Sequence, residues 1–237
     1  SGVEAARMAV VETERQKVPD AEELRRVQLD LSAALNDLGF ITQREDPESA
    51  DHYFLESAEI RGALVVDDPQ DHLVARGLAY SMLYLAVNST KCQSNQSPSR
   101  WAEALSRFAV FAGSPGGNLV TAGNDFKIAI EEFSKAQSES RLSSDQLLAL
   151  TLKLPTILGA LGRIIEMAPP DVAYKTTEVL FRLATTFEAD SKTAAARDIH
   201  DAVLTARRQL CVLDPNNRLF RRGLGYSLLS ADTRFLP

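Results

Sequence analysis

Residues that build disulfides and metal sites are scarce in this chain. Its 237 residues include two cysteines, three histidines and one tryptophan. Cys92 and Cys211 lie far apart and have no partners at metal-ligand spacing, which is typical of a reduced pair in a cytoplasmic protein. The sequence therefore predicts neither a disulfide framework nor a metal site, and no cofactor is expected.

Positive charge and long apolar runs are also in short supply. The net charge is −6 and the isoelectric point is about 5.2. Because affinity for nucleic acid depends on neutralising phosphates, nucleic acid is not an expected partner. Charged residues interrupt the apolar stretches before the roughly 18 residues needed to span a bilayer, so no membrane association is expected either.

Aromatic residues make up only 7% of the chain, whereas alanine and leucine are frequent. That balance favours helices over strands. Apolar residues recur at helical spacing through most of the sequence, which predicts an all-α fold of about ten helices. Because the connections are short, we expect the helices to pack as antiparallel pairs.

Domain organisation is predicted from the start of the chain and its polar stretches. The sequence begins with Ser1-Gly2 and has no initiator methionine or apolar secretory segment. We interpret it as a fragment of a larger multidomain protein, with residues 1–237 forming a single helical-repeat domain. Two stretches without a periodic apolar face, 88–99 and 113–123, are predicted to be surface loops.

One segment occurs twice, because residues 68–83 and 214–229 are identical at nine of sixteen positions. A self-match this dense is typical of a repeat architecture. Residues 29–39 align more weakly with 77–86, at an offset of 47 residues. The chain is therefore predicted to be built from repeated helical units.

Each copy of the segment opens on Asp-Pro, as Asp68-Pro69 and Asp214-Pro215. We expect this dipeptide to start a helix, since aspartate caps free amides and proline is tolerated in the first turn. The prediction assigns structural roles to all four residues.

The paired residues Gly77/Tyr80 and Gly223/Tyr226 are also predicted to be structural. Glycine allows two helices to approach closely, and tyrosine fills the space beside it. If the module recognises a partner, specificity should lie where the copies differ. Those positions are Gln70, Asp71 and His72 against Asn216, Asn217 and Arg218, and Ala75 against Arg221.

These motifs resemble the tetratricopeptide-repeat family. That family pairs a small residue with an aromatic three positions later on its first helix, as Gly77/Tyr80 and Gly223/Tyr226 do. Its second helix carries alanine and then an aromatic, a pattern matched by Ala104/Phe108 and Ala129/Phe133/Ala136. The resemblance implies an irregular solenoid that serves as a protein-interaction scaffold.

A cluster of basic residues near the C-terminus is the candidate partner-binding surface. Arginine binds carboxylates and phosphates bidentately. The alternative interpretation is a solvated face with internal ion pairs to Asp201 or Asp214, and Arg222 has a structural alternative because it repeats Arg76. The cluster comprises Arg207, Arg208, Arg218, Arg221 and Arg222.

Other chemical motifs are weaker. His72 and His200 each adjoin an aspartate, but neither has a nucleophile or third ligand at a recognisable spacing. The glycine-rich stretch 113–118 lacks the following lysine and preceding strand of a phosphate loop. Trp101 is predicted to anchor the core.

The predicted function is a non-catalytic scaffold that binds a peptide or a partner helix in a concave helical groove. The alternative is a regulatory or sensor domain that binds an acidic small ligand or nucleic acid through the C-terminal arginines. An α-helical enzyme is a third hypothesis, which no motif favours.

Overall fold

The structure is a computed structural model that describes residues 2–15, 20–92, 94, 97–112, 118–140, 144–189 and 191–234. Within these ranges it contains ten α-helices and no strand, which confirms the predicted all-α class. The helices are α1 (Gly2–Glu14), α2 (Ala21–Thr42), α3 (Pro47–Asp67), α4 (His72–Lys91), α5 (Ser97–Ala112), α6 (Leu119–Ser140), α7 (Ser144–Met167), α8 (Pro170–Ala189), α9 (Thr193–Leu213) and α10 (Arg218–Arg234).

The chain divides into two compact units, residues 1–107 and 108–237. In the first unit α1 packs on α2, α2 on α3 and α3 on α4. In the second unit α8 packs on α6, α7 and α9, while α9 also contacts α7 and α10. Packing between consecutive helices is consistent with a helical repeat.

Apolar stripes predicted from the sequence form the cores of both units. Phe54 of α3 and Leu85 of α4 are buried together in the first unit. Trp101 is fully buried, as predicted, and its Nε1 donates a hydrogen bond of 2.8 Å to Thr90 Oγ1. Removing such side chains from water is the main stabilising contribution to folding.

In the second unit, helical spacing of apolar residues over 190–213 predicts a buried stripe of Ile199, Val203, Ala206, Leu210 and Leu213, and the structure confirms it as far as the last turn of α9. The side chains of Ile199, Val203 and Leu210 are buried, but Leu213 is 63% exposed. Leu213 is the last residue of α9, directly before the C-cap Asp214, and its side chain lies outside the core.

The prediction that Asp-Pro starts a helix is wrong in both copies. Asp68 and Asp214 are C-cap residues, and their backbone N–H groups donate to Leu64 O and Leu210 O. Their φ and ψ angles are −138° and 86°, and −138° and 85°. Pro69 and Pro215 therefore follow a helix end, which suits a residue that cannot continue a helix.

The helix start lies three residues later. Asp71 Oδ1 accepts hydrogen bonds from the backbone N–H groups of Leu73 and Val74, at 2.9 and 3.0 Å. Asn217 Oδ1 accepts from the equivalent groups of Leu219 and Phe220. Aspartate and asparagine are both favoured N-cap residues, so the two copies start α4 and α10 in the same way.

Both predicted loops are shorter than the sequence indicates. α4 continues to Lys91 and α5 begins at Ser97, so residues 88–91 and 97–99 of the first stretch are helical, whereas 93, 95 and 96 lie outside the described residues. Asn88 and Ser89 were misread because they are polar, but both are buried, and Asn88 Nδ2 donates 2.8 Å to Pro47 O. Similarly, α6 begins at Leu119, inside 113–123, whereas residues 113–117 lie outside the described residues.

The repeat extends well beyond the sixteen matching positions. Pro47–Asp67 and Thr193–Leu213, which are α3 and α9, have bounds exactly 146 residues apart, as do the starts of α4 and α10. Together with the helix before each pair, these helices define the two copies of the repeat. We call α2, α3 and α4 copy one, and α8, α9 and α10 copy two.

One segment of α7, Leu148–Glu166, is long and apolar enough to cross a membrane by length and composition. Its mean hydropathy is 1.5 even though it contains Lys153 and Arg163. The sequence expectation that no stretch reaches this length therefore needs correction. Leu150 and Ile157 on this segment are fully buried, and a helix in a folded core passes the same test.

Candidate functional site

Copy one is held together by an arginine at its centre. Arg61 projects from α3 and donates from Nε to Ser32 Oγ of α2, at 2.9 Å. Its Nη1 donates to Gly77 O and Ser81 Oγ of α4, at 2.7 and 3.1 Å. A single guanidinium group therefore connects three helices.

Copy two has the same arrangement. Arg207 of α9 donates from Nε to Thr177 Oγ1 of α8, at 3.1 Å. Its Nη1 donates to Gly223 O and Ser227 Oγ of α10, both at 2.9 Å. Arg207, Gly223 and Ser227 each follow their copy-one counterparts by 146 residues. The arginine clamp is thus a second shared feature of the repeat.

The glycines of the repeat make room for these clamps. A Cβ placed on Gly77 would lie 2.9 Å from Arg61 Nη1. A Cβ on Gly223 would lie 2.7 Å from Cε2 of Tyr174, whose ring packs beside Arg207. The prediction that these glycines permit close packing is confirmed.

Neither clamp arginine has a carboxylate of the described residues within ion-pair distance. Burial lowers the pKa of both guanidinium groups, because removal from water penalises their charged form. For Arg207, nearby Tyr174 and Glu178 act in the opposite direction. Arginine nevertheless stays protonated at neutral pH, so each copy holds a buried cation whose acceptors are hydroxyl and carbonyl groups.

Each clamp arginine lines a cavity between the outer helices of its copy. The cavity in copy one has a volume of about 330 Å³ and that in copy two about 160 Å³. One wall of each cavity is built from the same residue types, which come from α3 and α4 in copy one and from α9 and α10 in copy two. The shared pairs are Arg61/Arg207, Arg76/Arg222, Gly77/Gly223 and Tyr80/Tyr226.

The opposite walls come from α2 and α8, whose sequences do not match. Ser32 and Thr177 occupy the same place against the clamp arginine, which sets an offset of 145 residues for these helices. At that offset the cavity residues again correspond, but their chemistry differs. The pairs are Ala33/Glu178, Asn36/Phe181 and Asp37/Arg182.

Asn36 has an unusual environment in the copy-one cavity. It is only 6% exposed, and its Nδ2 donates to Ser81 Oγ at 3.1 Å. Its Oδ1 is buried and accepts no hydrogen bond from the described residues. Buried polar atoms are nearly always paired, so this acceptor is an exception, and its burial keeps it out of reach of a ligand in the cavity.

The aromatic residues of the cavities interact with cations. The Arg76 guanidinium lies 5.5 Å from the centre of the Tyr80 ring, and that of Arg207 lies 5.1 Å from the centre of Phe181. Such contacts are favourable in partly dehydrated surroundings. The tyrosines were predicted to fill the helix interface, yet Tyr226 is 58% exposed and lines its cavity instead.

The structure separates the predicted C-terminal arginine surface into two groups. Arg207 is 3% exposed and donates to internal acceptors, so its assignment to a partner-binding surface is wrong. Arg208, Arg218, Arg221 and Arg222 are exposed. Only Arg222 of these lines a described cavity.

The ion pairs suggested as an alternative for these arginines do not form. Within the described residues, none of them lies within 4 Å of a carboxylate of Asp201 or Asp214. Asp214 instead accepts a side-chain hydrogen bond from Asn217, at 3.3 Å. The exposed arginines therefore remain available to an external anion.

Arg61 was missed in the sequence because a charged residue on a helix is ordinarily assigned to the solvated face. The signal that could have found it is its spacing. Arg61 and Arg207 are 146 residues apart, as are the two copies of the matching segment. Each arginine lies 16 residues before the glycine and 20 residues before the serine of its own copy. Extending the self-alignment upstream of Asp68 would have paired them.

The histidine next to Asp201 is a buried structural residue. His200 Nε2 lies 2.9 Å from Glu188 Oε1, and its ring packs edge-on against Phe181 at 5.0 Å. This contact connects α8 to α9 behind the copy-two cavity. Asp201, the neighbour that suggested acid–base chemistry, is exposed and is not the partner of His200.

Comparison of the chain with protein-family models, curated proteins and solved structures found no match. The resemblance to tetratricopeptide-repeat proteins therefore stays a prediction.

Proposed function

We propose that the chain is a non-catalytic recognition module that binds a peptide or a partner helix of another protein. In this proposal its helices form antiparallel pairs in an irregular, tetratricopeptide-like solenoid. The observation that supports it is the duplicated cavity, in which the two copies place the same two arginines, glycine and tyrosine.

The cavities are better suited to individual polar side chains of a partner than to an extended apolar surface of that partner. Each combines an aromatic wall with cationic groups held by packing, which gives a partner both contact area and fixed polar contacts. The clamp arginine is immobilised by three hydrogen bonds in each copy, so little side-chain entropy is lost when a ligand meets it.

Selection of peptides from a random display library tests this function. Peptides selected on the native protein should lose at least tenfold in affinity when Tyr80→Ala and Tyr226→Ala remove the cavity walls. Arg208→Gln is the matched control, since Arg208 is exposed and lines no described cavity. Selected peptides that bind the tyrosine variants with unchanged affinity would contradict the proposal.

A second candidate function rests on the exposed arginines of α10. Arg218, Arg221 and Arg222 lie at spacings of three and four residues in an otherwise acidic protein and could bind an acidic small ligand or nucleic acid. This contact should weaken steeply with salt.

Single-stranded oligonucleotide and inorganic polyphosphate are suitable probes for that alternative. Changing Arg218, Arg221 and Arg222 together to glutamate should abolish binding of either probe, whereas the Arg26→Glu control should not. Retention of binding by the triple variant excludes this surface as the site.

A further inference from the structure

The difference between the two cavities points to a ligand for only one of them. We propose that the copy-one cavity receives an acidic residue of a peptide partner, whose carboxylate meets Arg61, whereas copy two carries its own carboxylate, Glu178, in the wall of the equivalent cavity. This inference rests on the proposed function and names the chemistry of the ligand.

Arg61 retains hydrogen-bonding capacity on the cavity side. Its Nε and Nη1 are paired with acceptors on α2 and α4. Its Nη2 has no acceptor among the described residues and is not sealed from solvent. A carboxylate in the cavity would satisfy this nitrogen and supply the missing counter-charge, and charge-assisted hydrogen bonds of this kind are the strong ones.

Asn36 forms part of the wall of the same cavity. Its Oδ1 accepts no hydrogen bond from the described residues, but this atom is shielded from solvent, so a ligand in the cavity does not reach it. The cavity contact of the ligand therefore depends on Arg61 and not on this acceptor.

The walls of the cavity limit the anion to a modest charge. Phe40 and Tyr84 border it together with Tyr80 and offer apolar surface to the methylene groups of an aspartate or glutamate. Asp37 lies exposed at the rim and would repel a dianionic phosphate more than a single carboxylate. Arg61 and Arg76 face Asp37 in the lining, which leaves one net positive charge, so a singly charged side-chain carboxylate balances the site better than a dianionic phosphoryl group.

Copy two contains the groups that would exclude such a ligand. Glu178 occupies the place of Ala33 and brings a negative charge into the cavity beside Arg207. Phe181 occupies the place of Asn36 and adds an aromatic side chain to the wall of the cavity. The copy-two cavity, which these larger side chains line, is also the smaller one, at about 160 Å³ against 330 Å³.

Nuclear magnetic resonance of the arginine and asparagine side chains tests the assignment directly. The probe is N-acetyl-glutamate N-methylamide, titrated to roughly 20 mM because a ligand of this size is expected to bind with Kd on the order of 1 mM. The signals of Arg61 Nε–H and Asn36 Nδ2–H₂ should shift with saturation, while that of Arg207 Nε–H should not. The matching glutamine derivative should bind at least tenfold more weakly.

Two substitutions should exchange the ligand-binding properties of the two cavities. Ala33→Glu should weaken binding at Arg61 at least tenfold, and Glu178→Ala should make the Arg207 signal respond to the probe. Ala194→Glu is the control, because it places the same charge at an exposed helical alanine outside both cavities. Ala33 is exposed, so we expect the Ala33→Glu variant to fold like the native protein. An unchanged thermal unfolding curve would verify this.

Several results would overturn the inference. These are equal binding of the glutamine derivative, unchanged binding in Ala33→Glu, or an affinity for inorganic phosphate that matches that of the probe. Display-selected peptides that bind without acidic residues and tolerate Ala33→Glu would leave peptide recognition intact but refute this inference. If the probe binds at Arg61 but no peptide can be selected, the carboxylate site would stand and the proposed peptide-recognition function would fail.

Discussion

Copy one and copy two hold an arginine in the same three-helix setting but surround it with different side chains. Arg61 and Arg207 each donate to a hydroxyl of the first helix and to a carbonyl and a serine hydroxyl of the third. The first helices, α2 and α8, share this hydroxyl although their cavity residues differ. The framework is therefore independent of the surface that it supports.

This separation shows which positions can vary without loss of the fold. The glycine and serine of the third helix are needed by the clamp and are the same in both copies. Ala33/Glu178 and Asn36/Phe181 face the cavity, and their exchange alters its volume, charge and hydrogen-bonding capacity. Recognition can thus change while the clamp stays constant.

The largest expected effect comes from removal of the clamps. Arg207→Ala should reduce the free energy of unfolding by about 3 kcal/mol, because it removes three hydrogen bonds to buried acceptors and creates a cavity. Arg61→Ala should cost less, about 2 kcal/mol, since Arg61 is only partly buried. Urea denaturation measures both, and an equal or smaller loss for Arg207→Ala would remove the distinction between the copies.

Substitution of the repeat glycines should have the next largest effect. Gly77→Ala and Gly223→Ala should each destabilise by about 1–2 kcal/mol, and Gly223→Ala more, because its Cβ meets the buried Tyr174 ring. Gly62→Ala and Gly225→Ala are matched controls with nothing within 4 Å of the added Cβ.

These controls should stabilise the protein by about 0.5–1 kcal/mol, because alanine has the higher helix propensity. Thermal unfolding of the four variants separates the two effects. A similar response at all four glycines would mean that close packing does not distinguish the repeat positions.

The N-caps should differ in their dependence on pH. Asp71→Ala and Asn217→Ala should each cost about 1 kcal/mol at neutral pH, because each removes the acceptor of helix N–H groups. Burial raises the pKa of Asp71, but hydrogen bonds from Val74 N–H and Arg25 outweigh it, so the folded-state pKa lies below the usual value.

The stability contributed by the Asp71 charge is therefore fully present above the unfolded pKa, about 4, and is lost as the pH falls through the lower folded pKa. Denaturation between pH 7 and pH 2 should show the cost of Asp71→Ala shrinking, whereas Asn217→Ala keeps its cost. A constant cost for Asp71→Ala would show that its charge does not contribute.

The smallest expected effect concerns Tyr174 in copy two. Burial, and next the Glu178 carboxylate, raise the pKa of this phenol above its ordinary value. Stability linked to the neutral phenol is present below about pH 10 and falls as the pH rises towards the folded pKa. In an ultraviolet titration, Glu178→Ala should lower the pKa of Tyr174, and an unchanged curve would place Glu178 too far away to act on the cavity.

Periodicity and self-similarity predicted much of this fold. The all-α class and many buried positions follow from helical spacing, which depends on backbone geometry that is common to all helices. Aspartate and proline are common both at the start of a helix and just after its end, so the residue types of Asp-Pro do not distinguish the two. The prediction assigned these dipeptides to helix starts, whereas they follow helix ends. Only the backbone decides that Asp71 and Asn217 are the caps.

The candidate site was largely beyond prediction. The clamp depends on an arginine that meets a hydroxyl on another helix, and Ser32 and Thr177 stand in segments with no sequence match. Their offset is 145 residues instead of 146, so even a perfect repeat search would misalign α2 with α8. The correspondence of Asn36 with Phe181 appears only once the three helices are packed.

The arginine clamp also has a consequence for how each copy opens. Because Arg61 bonds α2 and α4 from its place on α3, none of these helices can separate without breaking a bond to a buried or partly buried group. We therefore expect the slowest-exchanging amides of α2, α3 and α4 to share one opening free energy, as a single foldon. A single side chain would then determine which helices unfold together, and hydrogen exchange would measure this as one common protection level.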